Sequence, residues 1–221
     1  MSSSSVRNVS IIAPTCFYYQ VSLFRVLAAD DKINLTVYFC TDEGISGRDA
    51  QSTYGTDELW ATENELLEGY TYKILQNYAP WGSYLKALVG LVNLGIWNDL
   101  KRNRPDVVVV MSWMNPTWWL TFLACLRFKI PMLLMTDANV NAENLKSAWK
   151  AWLKRFVLGK FLFPAAAGFL CAGSSNRGLY ESYGVPARKL FSFAYSWGYS
   201  SMRTEAKRLL NQRMALRTEH N

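Results

Sequence analysis

Histidine is almost absent from this chain: among 221 residues the single histidine is His220, one position from the end. Ser-His-Asp and Cys-His nucleophile systems, histidine zinc sites and histidine general bases in the body of the protein are therefore excluded. Any acid–base chemistry has to use Asp, Glu, Tyr or Lys side chains, or the substrate itself.

Cysteine is sparse as well, and its spacing carries no metal or redox motif. The four cysteines stand far apart, without a C-x-x-C pair: Cys16, Cys40, Cys125 and Cys171. Three lie in or beside apolar runs that predict strands, and Cys125 lies in a predicted helix. We interpret them as small buried hydrophobes of a protein in a reducing compartment.

Glycine is missing from the first predicted β–α turn, APTCFYYQ (13–20). This turn therefore lacks the G-x-G-x-x-G fingerprint of dinucleotide-binding folds, and the chain has no G-x-x-x-x-G-K-[ST] loop. Both motifs use glycine to bring backbone N–H groups close to phosphates. An NAD enzyme and a P-loop NTPase are disfavoured.

Long hydrophobic runs are also missing. The longest apolar stretch, 118–135, is interrupted by Arg127, Lys129 and Pro131, which argues against a spanning helix. The opening MSSSSVRNVSIIAP has only a short apolar run, so we predict no signal peptide. We expect a cytoplasmic chain, either free or peripheral on the inner face of the membrane.

Short apolar runs that alternate with helix-length stretches dominate what the chain does contain. In PDVVVVMSWMNPTWWLTFLACLRFKIPMLLMTDAN (105–139), two such runs each stop at a polar loop, as buried parallel strands do. Strands are predicted over 6–13, 35–40, 70–75, 107–111, 132–135, 167–172 and 190–195. Helices are predicted over 19–29, 82–102, 116–128, 145–162, 174–183 and 204–216, and a long, functional loop over 41–69. The fold class is α/β: a single Rossmann-like, doubly wound, mainly parallel sheet.

The chain is basic, with a formal net charge of +7 at pH 7, and it carries nine tryptophans. Basic proteins bind nucleic acid, anionic membrane surfaces or phosphorylated substrates. The basic residues cluster at 146–160 and 203–217 without a nucleic-acid-binding motif, so that partner is disfavoured. The tryptophans fit a sugar, lipid or partner surface, and they fit core filling equally well.

An ordered set of segments resembles the N-terminal domain of glycosyltransferase family 4. AGFLCAGSSNRGLYESYGVPARKLFSFAY (167–195) is similar to the end of that domain, and SAWKAWLKRFVLGKFLFPAA to its preceding basic helix. PDVVVVMSWMNP and KIPMLLMTDAN are similar to its central strands, and YYQVSLFRVLAADD to its first helix. The resemblance covers 6–195, although no single motif is diagnostic.

This resemblance implies the GT-B fold, in which two Rossmann domains face each other across a cleft. The N-terminal domain holds the acceptor; the C-terminal one holds a nucleotide-sugar co-substrate and carries a Glu-x7-Glu pair. Retaining transfer in the family needs no metal or other cofactor, because cationic side chains neutralise the donor phosphates. Here only 26 residues follow Tyr195, without a Glu-x7-Glu pair. We therefore expect an N-terminal domain over 1–196, a basic connecting tail over 197–221, and no activity without a second domain or partner.

Asp137 is the candidate catalytic residue. It directly follows a predicted buried strand, at the edge of the sheet where ligands bind. It would accept a hydrogen bond from an acceptor hydroxyl or act as base toward it. The alternative is that Asp137 caps the following turn.

The loop after the central strand supplies candidate acceptor contacts in Trp113, Met114 and Asn115. Trp113 would offer a ring face to a sugar or lipid chain, and Asn115 would hydrogen-bond an acceptor hydroxyl. Alternatively, Asn115 caps the helix that begins at Pro116.

Two further turns belong to the predicted cleft. Tyr18 and Tyr19, after the first strand, are candidate acceptor contacts by the resemblance. Gly173 and Ser174 form a strand-to-helix turn where the helix N-terminus would bind a phosphate. The alternative there is ordinary capping by Ser174 or Ser175.

A basic, tryptophan-bearing helix is the candidate membrane-facing element. It carries Lys146, Trp149, Lys150, Trp152 and Lys154, and it has no acidic residue over 145–162. Such a helix suits an anionic membrane surface, with about 1 kcal/mol per cationic residue, and a lipid-linked acceptor. The alternative is a core-packed helix with a solvated basic face.

These observations and the resemblance predict two alternative functions. The first is the acceptor-binding half of a retaining glycosyltransferase of cell-surface polysaccharide or glycolipid assembly, with a separate donor-binding domain protein as partner. The second is a non-catalytic, membrane-docked scaffold that recruits another glycosyltransferase.

Overall fold

A single seven-stranded sheet organises the chain. The structure, a computed structural model, describes residues 5–46, 66–80, 82–83, 86, 89–138, 148–194 and 210. The strands are β1 (Arg7–Ala13), β2 (Ile33–Phe39), β3 (Thr71–Ile74), β4 (Val107–Val110), β5 (Met132–Thr136), β6 (Gly168–Cys171) and β7 (Leu190–Ser192). Their order is β3-β2-β1-β4-β5-β6-β7, and every neighbouring pair is parallel. The predicted parallel α/β fold is confirmed.

The strands alternate their side chains between two apolar layers, one on each face of the sheet. In β1, Ile12 belongs to one layer while Ile11 and Ala13 belong to the other. In β4, Val110 and Val109 divide in the same way. Both faces are apolar because helices cover both, which explains why the strands are continuous hydrophobic runs.

The helices connect the strands. They are α1 (Tyr18–Ala28), α2 (Glu43–Ser46), α3 (Gly95–Asn103), α4 (Pro116–Phe128), α5 (Ala148–Val157), α6 (Phe163–Ala165) and α7 (Ser174–Ser182). A π-helical turn, Leu158–Leu162, joins α5 to α6 around Gly159, and a 3-10 turn, Ala187–Lys189, precedes β7. The predicted helix 204–216 lies outside the described residues, apart from Leu210.

The helix predicted over 82–102 is wrong for the described residues of its first half, 82–83, 86 and 89–94, because α3 begins only at Gly95. The segment before it is held in a non-helical path by Asn77. The side-chain amide of Asn77 donates to the Gly90 carbonyl (3.0 Å) and accepts from the Val92 N–H (2.9 Å). These side-chain bonds compete with helical ones, and the helical apolar spacing does not reveal them.

The cysteines are free thiols, and all four are buried, as predicted. Burial raises the pKa of the Cys125 thiol to about 12, so it stays protonated and unreactive. Among the helices of the described residues, we find none with the length and apolar character to cross a membrane.

Candidate functional site

The sheet changes its direction of winding between β1 and β4. These strands are neighbours, with Ile12 paired to Val110, but the helices after them pack on opposite faces. Phe24 of α1 lies in one apolar layer and Phe122 of α4 in the other. The segments that follow β1 and β4 therefore diverge beyond the carboxyl edge of the sheet and leave a crevice. Open α/β sheets bind ligands in such a crevice. We call it the switch-point crevice.

The β1–α1 turn forms one side of this crevice and is firmly anchored. Thr15 is buried, and its hydroxyl accepts the N–H of Gly44 (2.7 Å). A Cβ on Gly44 would lie 2.4 Å from the carbonyl oxygen of Cys16, so this approach needs glycine. The turn is thus anchored by the short helix α2, although it contains no glycine itself.

Cys16 lies in this turn as a buried structural group. Its Sγ is 3.6 Å from the Tyr70 hydroxyl, and burial raises the pKa of the Cys16 thiol to about 11. A thiol with that pKa is protonated at neutral pH, so Cys16 is not a nucleophile.

Tyr18 and Tyr19 begin α1 and are half-buried. The Tyr19 ring stacks on Phe17 at 5.4 Å between centroids and meets Tyr18 edge-on at 5.7 Å. The three rings form an aromatic cluster at the start of the helix. Acceptor binding by Tyr18 and Tyr19 stays a prediction.

The β4–α4 loop forms the other side of the crevice. Met114 is its exposed side chain, at 43% relative exposure, and its backbone N–H donates to the Ser112 hydroxyl (3.2 Å). Met114 is therefore accessible to a ligand, and acceptor binding by it stays a prediction.

Trp113 differs from the expected open ring face, since it is only 7% exposed. Its ring meets Phe163 edge-on at 5.7 Å, and the Lys154 ammonium lies 5.2 Å from the ring centroid. The ring forms the inner wall of the loop because the chain between β5 and β6 folds back over it. A contact from the Trp113 face to an acceptor would require Lys154 to move.

Asn115 occupies the N-cap position of α4 with extended backbone, yet its side chain makes no capping hydrogen bond. The capping alternative for the side chain is therefore not realised. Asn115 is 4% exposed, and no partner for its Oδ1 lies among the described residues. Acceptor binding by Asn115 stays a prediction.

Asp137 follows β5 on the same edge of the sheet, and its side chain is exposed. The preceding Thr136 is buried, and its hydroxyl is 2.9 Å from that of Tyr180. The strand end is therefore fixed while the carboxylate faces solvent. Its catalytic role stays a prediction.

Gly173 and Ser174 form the exposed turn from β6 to α7, and no side chain caps the helix there. The capping expected from Ser174 or Ser175 is thus not realised. Instead Asn176, which the sequence interpretation missed, is buried and joins two loops. It accepts the Ala172 N–H (3.1 Å) and donates to the Ala138 carbonyl. Phosphate binding at this turn stays a prediction.

The predicted membrane-facing residues separate into different groups. Lys146 and the side chains of Trp149 and Lys150 lie outside the described part of the structure. Trp152 is 67% exposed and stacks on Phe156 at 5.8 Å, as expected for an outward position. Lys154 is half-buried and its ammonium lies over the Trp113 ring, and its place on a membrane face stays a prediction.

Comparisons with known proteins find the fold but no family. No protein-family model and no curated protein matches this chain. UDP-N-acetylglucosamine 2-epimerase from Rickettsia bellii matches with a TM-score of 0.55 at 14% identity, over 93% of this chain and 49% of that chain. Anabaena Alr3699/HepE in complex with UDP and glucose matches with a TM-score of 0.51 at 8% identity, over 86% of this chain and 44% of that chain.

These matches define the class of fold: a Rossmann-like α/β unit like those of GT-B proteins. Identities this low show the fold alone. The chain spans less than half the length of either matched chain. Family 4 in particular rests on the sequence resemblance.

Proposed function

We propose that this chain is the acceptor-side half of a retaining, nucleotide-sugar-dependent glycosyltransferase. It acts on a glycan or lipid-linked acceptor in cell-surface polysaccharide or glycolipid assembly. The switch-point crevice is the observation that supports this proposal: the turns that carry Tyr18 and Tyr19, and Met114 and Asn115, follow β1 and β4 at the carboxyl edge, where open α/β sheets bind ligands.

Acceptor binding and donor binding are assigned to different domains because this chain matches only part of the fold of its structural neighbours. Alr3699/HepE, solved with UDP and glucose, is matched over only 44% of its length. In our proposal a second Rossmann domain binds the nucleotide sugar and neutralises its phosphates with cationic side chains, so no metal is required. This chain binds the acceptor and supplies the Asp137 carboxylate, which orients or deprotonates the attacking hydroxyl of the acceptor.

Complementation of an extract tests this function. A strain of the source organism that lacks this gene should yield an extract that cannot move labelled sugar from UDP-glucose, UDP-galactose or UDP-N-acetylglucosamine into one lipid or glycan product. Adding the purified chain should restore that product, and the chain by itself should form none. Asp137→Asn should restore about 100-fold less product, since positioned acid–base groups contribute about that factor.

The other outcomes separate the alternatives. Full restoration by Asp137→Asn would indicate the scaffold function, in which the chain recruits a complete transferase. Transfer by the chain without extract would place the donor site within it. Failure to restore any product would contradict the acceptor role.

We also propose that the outer face of α5 and the following turn contacts an anionic membrane. Exposed apolar side chains gather there: Trp152, Leu153, Phe156 and Phe161. Two rings touch, with Phe156 and Phe161 at 5.9 Å, and Lys160 is exposed beside them. Aromatic residues with adjacent cations bind the interface of anionic bilayers, and a net charge of +7 strengthens that attraction.

Vesicle co-sedimentation tests this surface. The double variant Phe156→Ala/Phe161→Ala should bind vesicles of phosphatidylglycerol about tenfold more weakly, because two half-exposed rings no longer enter the interface. The matched control is Leu123→Ala/Leu126→Ala, which removes two exposed apolar side chains of α4. Equal loss in both variants, or equal binding to neutral phosphatidylcholine, would contradict this surface.

A further inference from the structure

The neighbours of Asp137 on both sides are bonded to one helix. The residue before it, Thr136, is buried, and its hydroxyl lies 2.9 Å from the hydroxyl of Tyr180. The residue after it, Ala138, accepts a hydrogen bond at its carbonyl from the side-chain amide of Asn176. Both partners belong to α7. The exposed Asp137 side chain is thus carried by a backbone segment that α7 holds at its two ends.

The two α7 side chains lie four residues apart, which places them one above the other on the same face of the helix. Asn176 is 5% exposed and Tyr180 is fully buried. Each is also fixed to β6 or its end: the Tyr180 ring lies 4.6 Å from that of Phe169 between centroids, and Asn176 accepts the Ala172 N–H (3.1 Å). We call this pair, Asn176 and Tyr180, the α7 clamp. It sets the position of the segment after β5 relative to β6.

The sheet pairing ends just before Asp137. Thr136 is the last paired residue of β5, opposite Cys171 of β6. Past that point the Asn176 amide bonds to the Ala138 carbonyl, as the backbone of a neighbouring strand would. A displacement of about 1 Å can lower the rate of a positioned reaction about 100-fold. The bond to Ala138 therefore matters if the Asp137 carboxylate acts on a substrate.

We propose that Asn176 and Tyr180 are positioning residues for the Asp137 carboxylate. This inference deepens, and rests on, the proposed function, because it concerns the group that orients or deprotonates the acceptor hydroxyl. Both clamp residues are buried, so they act through the backbone of residues 136–138 and not by contact with the acceptor.

A double-variant comparison tests this role, with the product of the complemented extract as the measurement. Asn176→Leu removes both hydrogen bonds of the amide and should restore about tenfold less product than the unmodified chain. Added to Asp137→Asn, it should lower the product by less than about twofold further, because no carboxylate is left to be displaced. A merely structural role would lower the product by the same factor with and without the Asp137 carboxylate.

Tyr180→Phe is the second variant, and it decides the test if Asn176→Leu does not fold. It removes only the hydroxyl that meets Thr136 and keeps the ring against Phe169, so it should restore about threefold less product. Ser182→Ala is the matched control. It removes a hydroxyl of α7 that donates to the Leu179 carbonyl within the same helix (2.7 Å), and it should restore as much product as the unmodified chain.

Backbone relaxation of the isotope-labelled chain measures the clamp independently of the reaction. The 15N heteronuclear NOE of the Asp137 and Ala138 amides should fall in Asn176→Leu and Tyr180→Phe, because this segment then moves more on the picosecond-to-nanosecond timescale. It should stay unchanged in Ser182→Ala.

The outcomes separate this inference from the function on which it rests. Full restoration by Asn176→Leu and Tyr180→Phe, or losses that multiply in full with that of Asp137→Asn, would overturn the positioning role and leave the proposed function standing. Unchanged relaxation in both variants would overturn it as well. Full restoration by Asp137→Asn would instead remove the catalytic role of the carboxylate, and the inference would fail with it.

Discussion

Replacing Phe163 by alanine is expected to lower the free energy of unfolding by about 3–5 kcal/mol, the range for large aromatic residues removed from a core. Phe163 is 2% exposed and lies at the centre of an aromatic cluster. Its ring centroid is within 5.1–5.7 Å of four others, those of Trp113, Phe169, Tyr180 and Tyr183. Alanine would leave a cavity that these rigid rings cannot fill. Urea denaturation would measure the loss.

Phe161 provides the matched control for this prediction. It lies two residues earlier, in the π-helical turn that precedes α6, but its side chain is 56% exposed. Phe161→Ala should change the free energy of unfolding by less than about 0.5 kcal/mol. Similar losses in Phe161→Ala and Phe163→Ala would contradict the account, because burial would then not decide the cost.

The Phe163 cluster also connects stability to the candidate site. Trp113 belongs to the loop that carries Met114 and Asn115, and Phe163 is its edge-on partner. The loop therefore takes its position from the chain between β5 and β6. We expect Phe163→Ala to weaken acceptor binding as well, although Phe163 lies within the core.

Replacing Asn93 by leucine is expected to cost about 3 kcal/mol or more, because several buried groups lose their partners at once. Asn93 is fully buried, and its amide donates to the carbonyls of Cys40 (2.9 Å) and Gln76 (3.0 Å). Its Oδ1 accepts the Thr117 hydroxyl (2.8 Å), and its own N–H donates to that hydroxyl (3.0 Å). This network fastens the segment just before α3 to the residue that follows β2 and to the first turn of α4.

Asn98→Leu is the control for this prediction. Asn98 lies five residues further on, in α3, and its side chain is exposed. The same substitution should be almost neutral there, within about 0.5 kcal/mol, when unfolding is followed by circular dichroism. A loss at Asn93 no larger than at Asn98 would show that the network does not stabilise the fold.

The sequence alone predicted the sheet because each strand is a short apolar run buried on both faces. Runs such as those at β4 and β5 differ in pattern from the helices between them, and parallel pairing follows from the alternation. The strand predicted over 70–75 is observed as β3, which lies at one end of the strand order. Local pattern therefore determined nearly all of this architecture.

The predictions failed where distant residues decide the outcome. The segment before α3 has helical apolar spacing, yet hydrogen bonds from Asn77 and Asn93 hold it in another path. Trp113 was expected to be open, but Phe163 and Lys154 come from 40 residues or more further along the chain to cover it. Such contacts depend on the fold as a whole.

The candidate site was predictable in outline and not in detail. The carboxyl edge follows from strand direction, and it holds Asp137 and the Trp113–Asn115 loop. Asn176 was missed because its hydrogen bonds join two loops that only the folded sheet brings together.

Chemical-shift mapping on the isotope-labelled, unmodified chain tests the central claim most directly, namely that the switch-point crevice is an acceptor site. Methyl glucoside, methyl galactoside, methyl N-acetylglucosaminide and UDP would be titrated separately while backbone amide signals are followed. We expect a methyl glycoside to shift the amides of residues 15–20 and 112–115, and UDP to shift them less. Glycoside shifts confined to other surfaces, or larger shifts of these amides with UDP, would contradict the account.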